Sequence, residues 1–136
     1  MPCRLRFFVD ESILAVGKAL AAVRDDVVHP GHRMLPSVPC GTLDSDWLQK
    51  VGANGLDLVV LTRDRHIRTR PAEKALLARE GVRVVCLTGK RDMAKWEKLE
   101  LIVSSWRGIQ EAVDLSGPGP WFKSLTKTGI RDIPLR

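Results

Sequence analysis

Three short apolar runs constrain this chain more than any other feature: Leu5-Arg6-Phe7-Phe8-Val9, Leu58-Val59-Val60-Leu61-Thr62 and Val82-Arg83-Val84-Val85-Cys86-Leu87. Each has the length of a strand, and near-continuous apolar strands are the kind covered on both faces, as in parallel sheets. They predict strands over residues 4–9, 57–62 and 82–87. Between the first two, Ile13, Val16, Leu20 and Val23 recur at helical spacing and predict a helix over 12–23. Residues 26–28, ending in Val27-Val28, read as a short further strand. From His29 to Thr42 the chain holds Pro30, Gly31, Pro36, Pro39 and Gly41, a loop long enough to be functional.

A helix is expected from near Asp44, capped by Thr42 or Asp44 and ended by Gly52 and Gly55. Pro71 opens another helix that Gly81 stops. A long helix from about Met93 to Val113 would carry Trp96, Leu99, Ile102, Val103, Trp106 and Ile109 on one face. The tail from Gly117 to Arg136 either adds an edge strand or wraps back on the body. This alternation predicts an α/β fold, a mostly parallel central sheet flanked by helices on both faces. One domain over 1–136 is expected, with its core at about 4–113 and 114–136 as an extension packing on the body.

The strands matter for function because of the acids at their ends. Asp10 closes the first run, Asp64 lies just past the second, and Asp46 sits in the first turns of the helix between. The carboxyl ends of strands in an open α/β sheet are where ligands bind. Three carboxylates gathered there would suit a hard divalent cation, Mg²⁺ or Mn²⁺. Such ions orient and activate water for phosphodiester hydrolysis. Glu11, Asp44 and Glu73 are near enough in sequence to add a further acid. Each aspartate also has a plainer reading, as the N-cap of the next helix or as a first-turn charge favoured by the macrodipole.

Around Asp64 lie Arg63, Arg65, His66, Arg68, Arg70 and Lys74. Arginine grips phosphate with a planar fork and lysine adds a mobile charge, so Arg63, Arg65, Arg68, Arg70 and Lys74 are candidate contacts to the phosphates of a nucleic acid. The alternative is that some of them pair with Glu73, Glu80 or the site carboxylates. Thr62 could orient water or substrate through its hydroxyl, or serve only as a β-branched strand residue. His66 is a surface residue on this reading. Trp96 and Trp106 are expected in the core or in a partner interface, and Trp47 should pack the site helix on the sheet. The formal net charge of +6 and a pI near 9.7 favour a polyanionic partner.

The remaining composition narrows the setting. Apolar residues at 44% suffice for an ordinary core, and no run of the length needed to span a bilayer exists. Cys3, Cys40 and Cys86 match no zinc spacing and read as reduced thiols of a cytoplasmic protein. No secretory leader is evident at Met1–Arg6, and no membrane association is expected.

Three segments together carry a resemblance: Phe7-Phe8-Val9-Asp10-Glu11, Asp44-Ser45-Asp46-Trp47-Leu48, and Val59 to Arg68 with Thr62-Arg63-Asp64 at its centre. They are similar to the PIN-like domain family, and most to its VapC-type toxin branch; the Pro71-Ala72-Glu73 helix start agrees. The likeness covers roughly residues 5–90. It implies a PIN-like fold and a Mg²⁺- or Mn²⁺-dependent endoribonuclease, with Asp10, Asp46 and Asp64 as metal ligands and catalytic acids. It implies as partners an RNA substrate, a small antitoxin protein and, as in many such toxins, a second copy of the chain in a homodimer. A fourth acid, common in the family beyond the third motif, has no clear counterpart, which leaves a catalytically inactive nucleic-acid-binding or regulatory module as the alternative. Asp10-Glu11 also mimics the paired acids of response-regulator or flavodoxin-like domains, but the basic Arg63–Arg70 loop argues against phosphorylation there.

Overall fold

The computed structural model describes residues 4–135. Cys3, read from the sequence as a reduced thiol, lies outside them. Strands β1 (Phe7–Val9), β2 (Val27–Val28), β3 (Val59–Thr62), β4 (Arg83–Leu87), β5 (Trp121–Thr126) and β6 (Gly129–Ile133) form one sheet, in the order β2-β1-β3-β4-β5-β6. The first five are parallel and β6 returns antiparallel beside β5. Helices α1 (Leu14–Val23), α2 (Asp44–Val51), α3 (Pro71–Arg79), α4 (Lys95–Ser104) and α5 (Trp106–Ser116) cover it.

The sheet's period-two alternation divides the core. Phe8, Val60, Val84 and Cys86 point to one face, where Trp47, Leu48 and Val51 of α2 and Leu76 and Leu77 of α3 meet them. Phe7, Val9, Val59, Leu61, Val85 and Leu87 point to the other, against Val16 and Leu20 of α1, Leu101 and Ile102 of α4, and Ile109 and Val113 of α5. Both layers are dry: Phe7, Phe8, Val60 and Leu61 have no exposed surface. Trp47 stacks at 4.9 Å on Phe8 and fixes α2 to the sheet. Among the described residues no helix is long and apolar enough to cross a membrane.

Several expectations change in detail. The first helical turn is a tight 3-10 turn (Glu11–Ile13), because the Asp10 carboxylate takes the Ser12 amide, and α1 starts only at Leu14. Val23, expected on the buried stripe, is exposed at the end of α1. Neither Thr42 nor Asp44 caps α2. The Thr42 hydroxyl donates to the Pro39 carbonyl at 2.6 Å, and Leu43 holds the cap position without a side-chain bond.

The long helix expected over 93–113 is two helices that break at Ser105. Trp96 leaves the core altogether, at 67% exposure, while Trp106 is half-buried on Phe7 at 4.8 Å with Arg24 over its ring. The tail does supply an edge strand. β5 pairs along β4 and the hairpin to β6 completes the sheet.

Gly52, which ends α2, sits where no side chain fits. A Cβ there would lie 2.4 Å from the Glu80 carbonyl oxygen, itself held by the Ala53 amide at 2.7 Å. Backbone cannot yield as a flexible side chain can. Gly52→Ala is therefore expected to cost about 2 kcal/mol, the usual scale of overpacking. A denaturant midpoint equal to the parent's would rule this out.

Candidate functional site

The carboxyl ends of β1 and β3 lie side by side, and each strand leads into an aspartate. Asp10 is 4% exposed. Its Oδ1 accepts from the Ser12 amide at 3.2 Å and from the Ser12 hydroxyl at 2.5 Å, and its Oδ2 accepts from the Thr62 hydroxyl at 2.8 Å. Thr62 in turn accepts from the Asp64 amide at 3.0 Å. One hydroxyl therefore joins the two strand ends. Asp64 also caps the 3-10 turn Arg65–Arg68 by accepting from the His66 amide at 3.0 Å. The capping role anticipated for both aspartates is real, and Asp64 keeps its second oxygen, Oδ2, for Arg70.

The third acid brought to this place is Asp44, not Asp46. Arg70 Nη2 lies 3.0 Å from Asp44 Oδ2 and 2.6 Å from Asp64 Oδ2, and its Nε is 3.3 Å from Glu73 Oε1. Asp46 is exposed and lines a separate shallow groove with Ser37, Thr42 and Lys50. The helix period explains the exchange. Asp44, Trp47, Leu48 and Val51 follow i, i+3, i+4, i+7, so Asp44 heads the buried stripe and Asp46 is turned off it. Trp47 Nε1 donates to Asp44 Oδ1 at 2.9 Å and fixes it there. That spacing was the available signal for Asp44.

Of the other acids considered, Glu73 joins the cluster through Arg70. Glu11 does not. Its Oε1 accepts from the Gly41 amide at 2.6 Å and latches the end of the long loop beside the site. Within that loop His29 Nδ1 bonds the Pro30 carbonyl and His32 Nδ1 accepts from the Met34 amide, so these histidines shape backbone.

The electrostatics arise from crowding. Burial pushes the Asp10 carboxyl up to about 6; the Ser12 and Thr62 hydrogen bonds resist this, and the charges of Asp44 and Asp64 add to it. Asp44 is raised as well, first by burial and then by Asp64 and Glu73, against the pull of Trp47 and Arg70. Cys86, buried beneath, is pushed up to about 12 by burial and then by Asp10, which makes it an inert thiol. Like charges held this close favour any cation that enters.

The donor set, all hard carboxylate oxygens, fits Mg²⁺ or Mn²⁺ in kind. In arrangement Arg70 stands among them as the counter-ion. Among the described residues no three His, Cys, Asp or Glu side chains are placed to hold a metal ion. Asp44, Asp64 and Glu73 are free for one only when Arg70, whose side chain is 40% exposed, swings away.

Three of the five cationic residues predicted to meet RNA are engaged with the protein instead. Arg63 Nη1 donates to the Leu87 carbonyl at 2.9 Å, and its Nη2 donates to the carbonyls of Lys90 and Arg91. Arg68 donates to the Pro134 carbonyl at 3.2 Å and lies over the Phe122 ring. Arg70 holds the acids. Arg65 is exposed and Lys74 half-buried on α3, and neither makes a side-chain ion pair among the described residues. Arg63 binds carbonyls with a fork that lysine lacks. Arg63→Lys is accordingly expected to lower stability by about 1–2 kcal/mol and leave RNA affinity unchanged, which unfolding and binding titrations would check together.

A family model described as a PIN-like domain matches residues 5–89, a span that holds β1 to β4 and all the acids above. No curated protein and no solved structure matches the chain.

Proposed function

The chain belongs to the PIN-like domain family, a nuclease-type fold, and from that premise we propose that it is a Mg²⁺- or Mn²⁺-dependent endoribonuclease acting as the toxin of a toxin–antitoxin pair. The observation that carries this reading is the cluster of Asp10, Asp44 and Asp64 at the carboxyl ends of adjacent parallel strands, with Asp10 buried and crowded by the other two. With Arg70 displaced, Asp10, Asp44 and Asp64 would hold the ion. When bound it supplies activated water and offsets the charge that builds on the phosphate.

The chain's own groups do the rest. Ser12 and Thr62 fix the Asp10 carboxylate by hydrogen bonds to both oxygens. The latch from Gly41 to Glu11 holds the long loop beside it. Arg70 balances the acids through its pairs with Asp44, Asp64 and Glu73. A small antitoxin protein and a second copy of the chain are the partners this reading brings with it.

Arg70 also supports a second reading, a non-catalytic RNA-binding module, since its ion pairs already neutralise the cluster without metal. RNA cleavage by the purified protein, with Mn²⁺ or Mg²⁺ and with chelator, separates the two. Cleavage that chelator stops supports the nuclease. RNA bound but uncut at every metal concentration establishes the module.

A further inference from the structure

We propose that the cleft between α1 and α4 is the track along which the RNA backbone leaves the acidic site. The proposal rests on the ribonuclease reading and locates its substrate. An RNA strand passing Asp10 must meet cations able to turn to its phosphates. The loop beside Asp64 offers fewer than its composition promises, because Arg63, Arg68 and Arg70 are spent on carbonyls and carboxylates. Besides Arg65 and Lys74, three cationic side chains without that commitment line a cleft next to Ser12, the residue that bonds Asp10.

There a cleft of about 410 Å³ opens between the 3-10 turn and α1 on one wall and the start of α4 on the other. Lys18 stands on the α1 wall, and Lys95 and Lys98 stand on the α4 wall. Three residues apart, Lys95 and Lys98 share one helix face. Among the described residues none of the three lysines makes an ion pair or a side-chain hydrogen bond. They come from two elements that pack together, so the wall they line is fixed by the fold.

The inner end of the cleft borders the site through Ser12. Glu11 and Ser12 line it, and the Ser12 hydroxyl bonds Asp10 and accepts from the Arg63 amide at 3.1 Å. A strand with one phosphate at Asp10 therefore lays its neighbouring phosphates between the lysines. Lysine ammonium groups are mobile point charges that bind phosphate without fixing its orientation. The lining holds no aromatic ring on which a base could stack. The cleft thus grips backbone, and its contribution is independent of base sequence.

Fluorescence anisotropy with a short, labelled single-stranded RNA of mixed sequence, in chelator so that nothing is cut, tests this. Combining Lys18→Gln, Lys95→Gln and Lys98→Gln is expected to weaken binding by more than about tenfold at low salt. The slope of log affinity against log salt should flatten by about 2, since each phosphate contact on a single strand contributes about 0.7. The triple lysine-to-arginine variant keeps charge and should keep both. Single Lys98→Gln should flatten the slope by a third as much. Arg65→Gln combined with Lys74→Gln should change binding less than the triple glutamine variant.

An unchanged affinity and slope in the triple glutamine variant overturns the cleft, as does a larger loss from the Arg65 and Lys74 pair. Because binding is read without metal, the two readings fail separately. RNA held through these lysines but never cleaved removes the nuclease and leaves the cleft. Cleavage by the triple glutamine variant with unchanged KM removes the cleft and leaves the nuclease.

Discussion

Asp10→Asn should abolish metal-dependent RNA cleavage, by about three orders of magnitude, and at the same time make the protein more stable. The first effect follows from the proposed site, in which Asp10 is a buried ligand and a bound ion would supply several kcal/mol of transition-state stabilisation. The second comes from burial. Asp10 is raised from 3.8 to about 6 chiefly by desolvation, so ionising it in the folded, metal-free protein costs about 3 kcal/mol. Asparagine carries no charge to desolvate and can keep the local bonds. Its oxygen still accepts from Ser12, and its amide can donate to Thr62 once that hydroxyl turns toward Ser12, 3.3 Å away. Thermal unfolding in chelator near neutral pH should show the variant several degrees above the parent.

The pH dependence has a definite sign. A carboxyl whose folded pKa exceeds its unfolded value favours folding while it is protonated. The contribution of Asp10 is therefore fully present below about pH 4 and is lost as pH rises through about 6. The gap between parent and Asp10→Asn should accordingly close at low pH and open across that window. A variant that is less stable than the parent at neutral pH, or that still cuts RNA, would sink the assignment of Asp10.

Removing the internal counter-ion should do the opposite to metal. Arg70→Gln is expected to tighten Mn²⁺ binding about tenfold, close to 1.4 kcal/mol, read directly by titration followed by electron paramagnetic resonance. Arg70 bonds Asp44 and Asp64 and pairs with Glu73, so a divalent ion entering the parent must first break those pairs. The groups are partly exposed, which keeps each pair to about 1 kcal/mol or less. In chelator the variant should be slightly less stable, because Asp44 then faces Asp64 and Glu73 uncompensated. Saturating Mn²⁺ should more than restore it, since a ligand that binds only the folded state stabilises by mass action. Weaker Mn²⁺ binding in the variant would show that Arg70 helps to hold the ion and does not exclude it.

How much of this was readable from the residues depends on how local the cause was. β1, β3 and β4 announce themselves because strands buried on both faces need unbroken apolar runs, and Pro71 and Gly81 bracket α3 by fixed backbone preferences. The PIN-like family was readable from segments around residues 7–11, 44–48 and 59–68, and the family match at 5–89 agrees. The break at Ser105 was not readable. A helix restarted after one residue keeps its apolar spacing, so the pattern runs on through it.

Asp44 against Asp46 turned on a single helical rotation, which Trp47, Leu48 and Val51 encode and a motif reading overlooks. The arginines were the hardest. Their long side chains reach carbonyls at Leu87 and Pro134, far away in sequence, and nothing near residues 63–70 names those acceptors.

The pairing of β1 with β3 also governs when the site comes into being. Asp10 and Asp64 meet only after the chain between them has closed into a parallel crossover, with Asp44 carried along inside it. Closing such a loop costs entropy that only the finished sheet and its two dry layers offset. A chain whose synthesis has not passed residue 64 lacks one of the three acids, and a cut between residues 10 and 64 removes the covalent link between the paired strands. The chemistry proposed for this protein is thus tied to the pairing of β1 with β3.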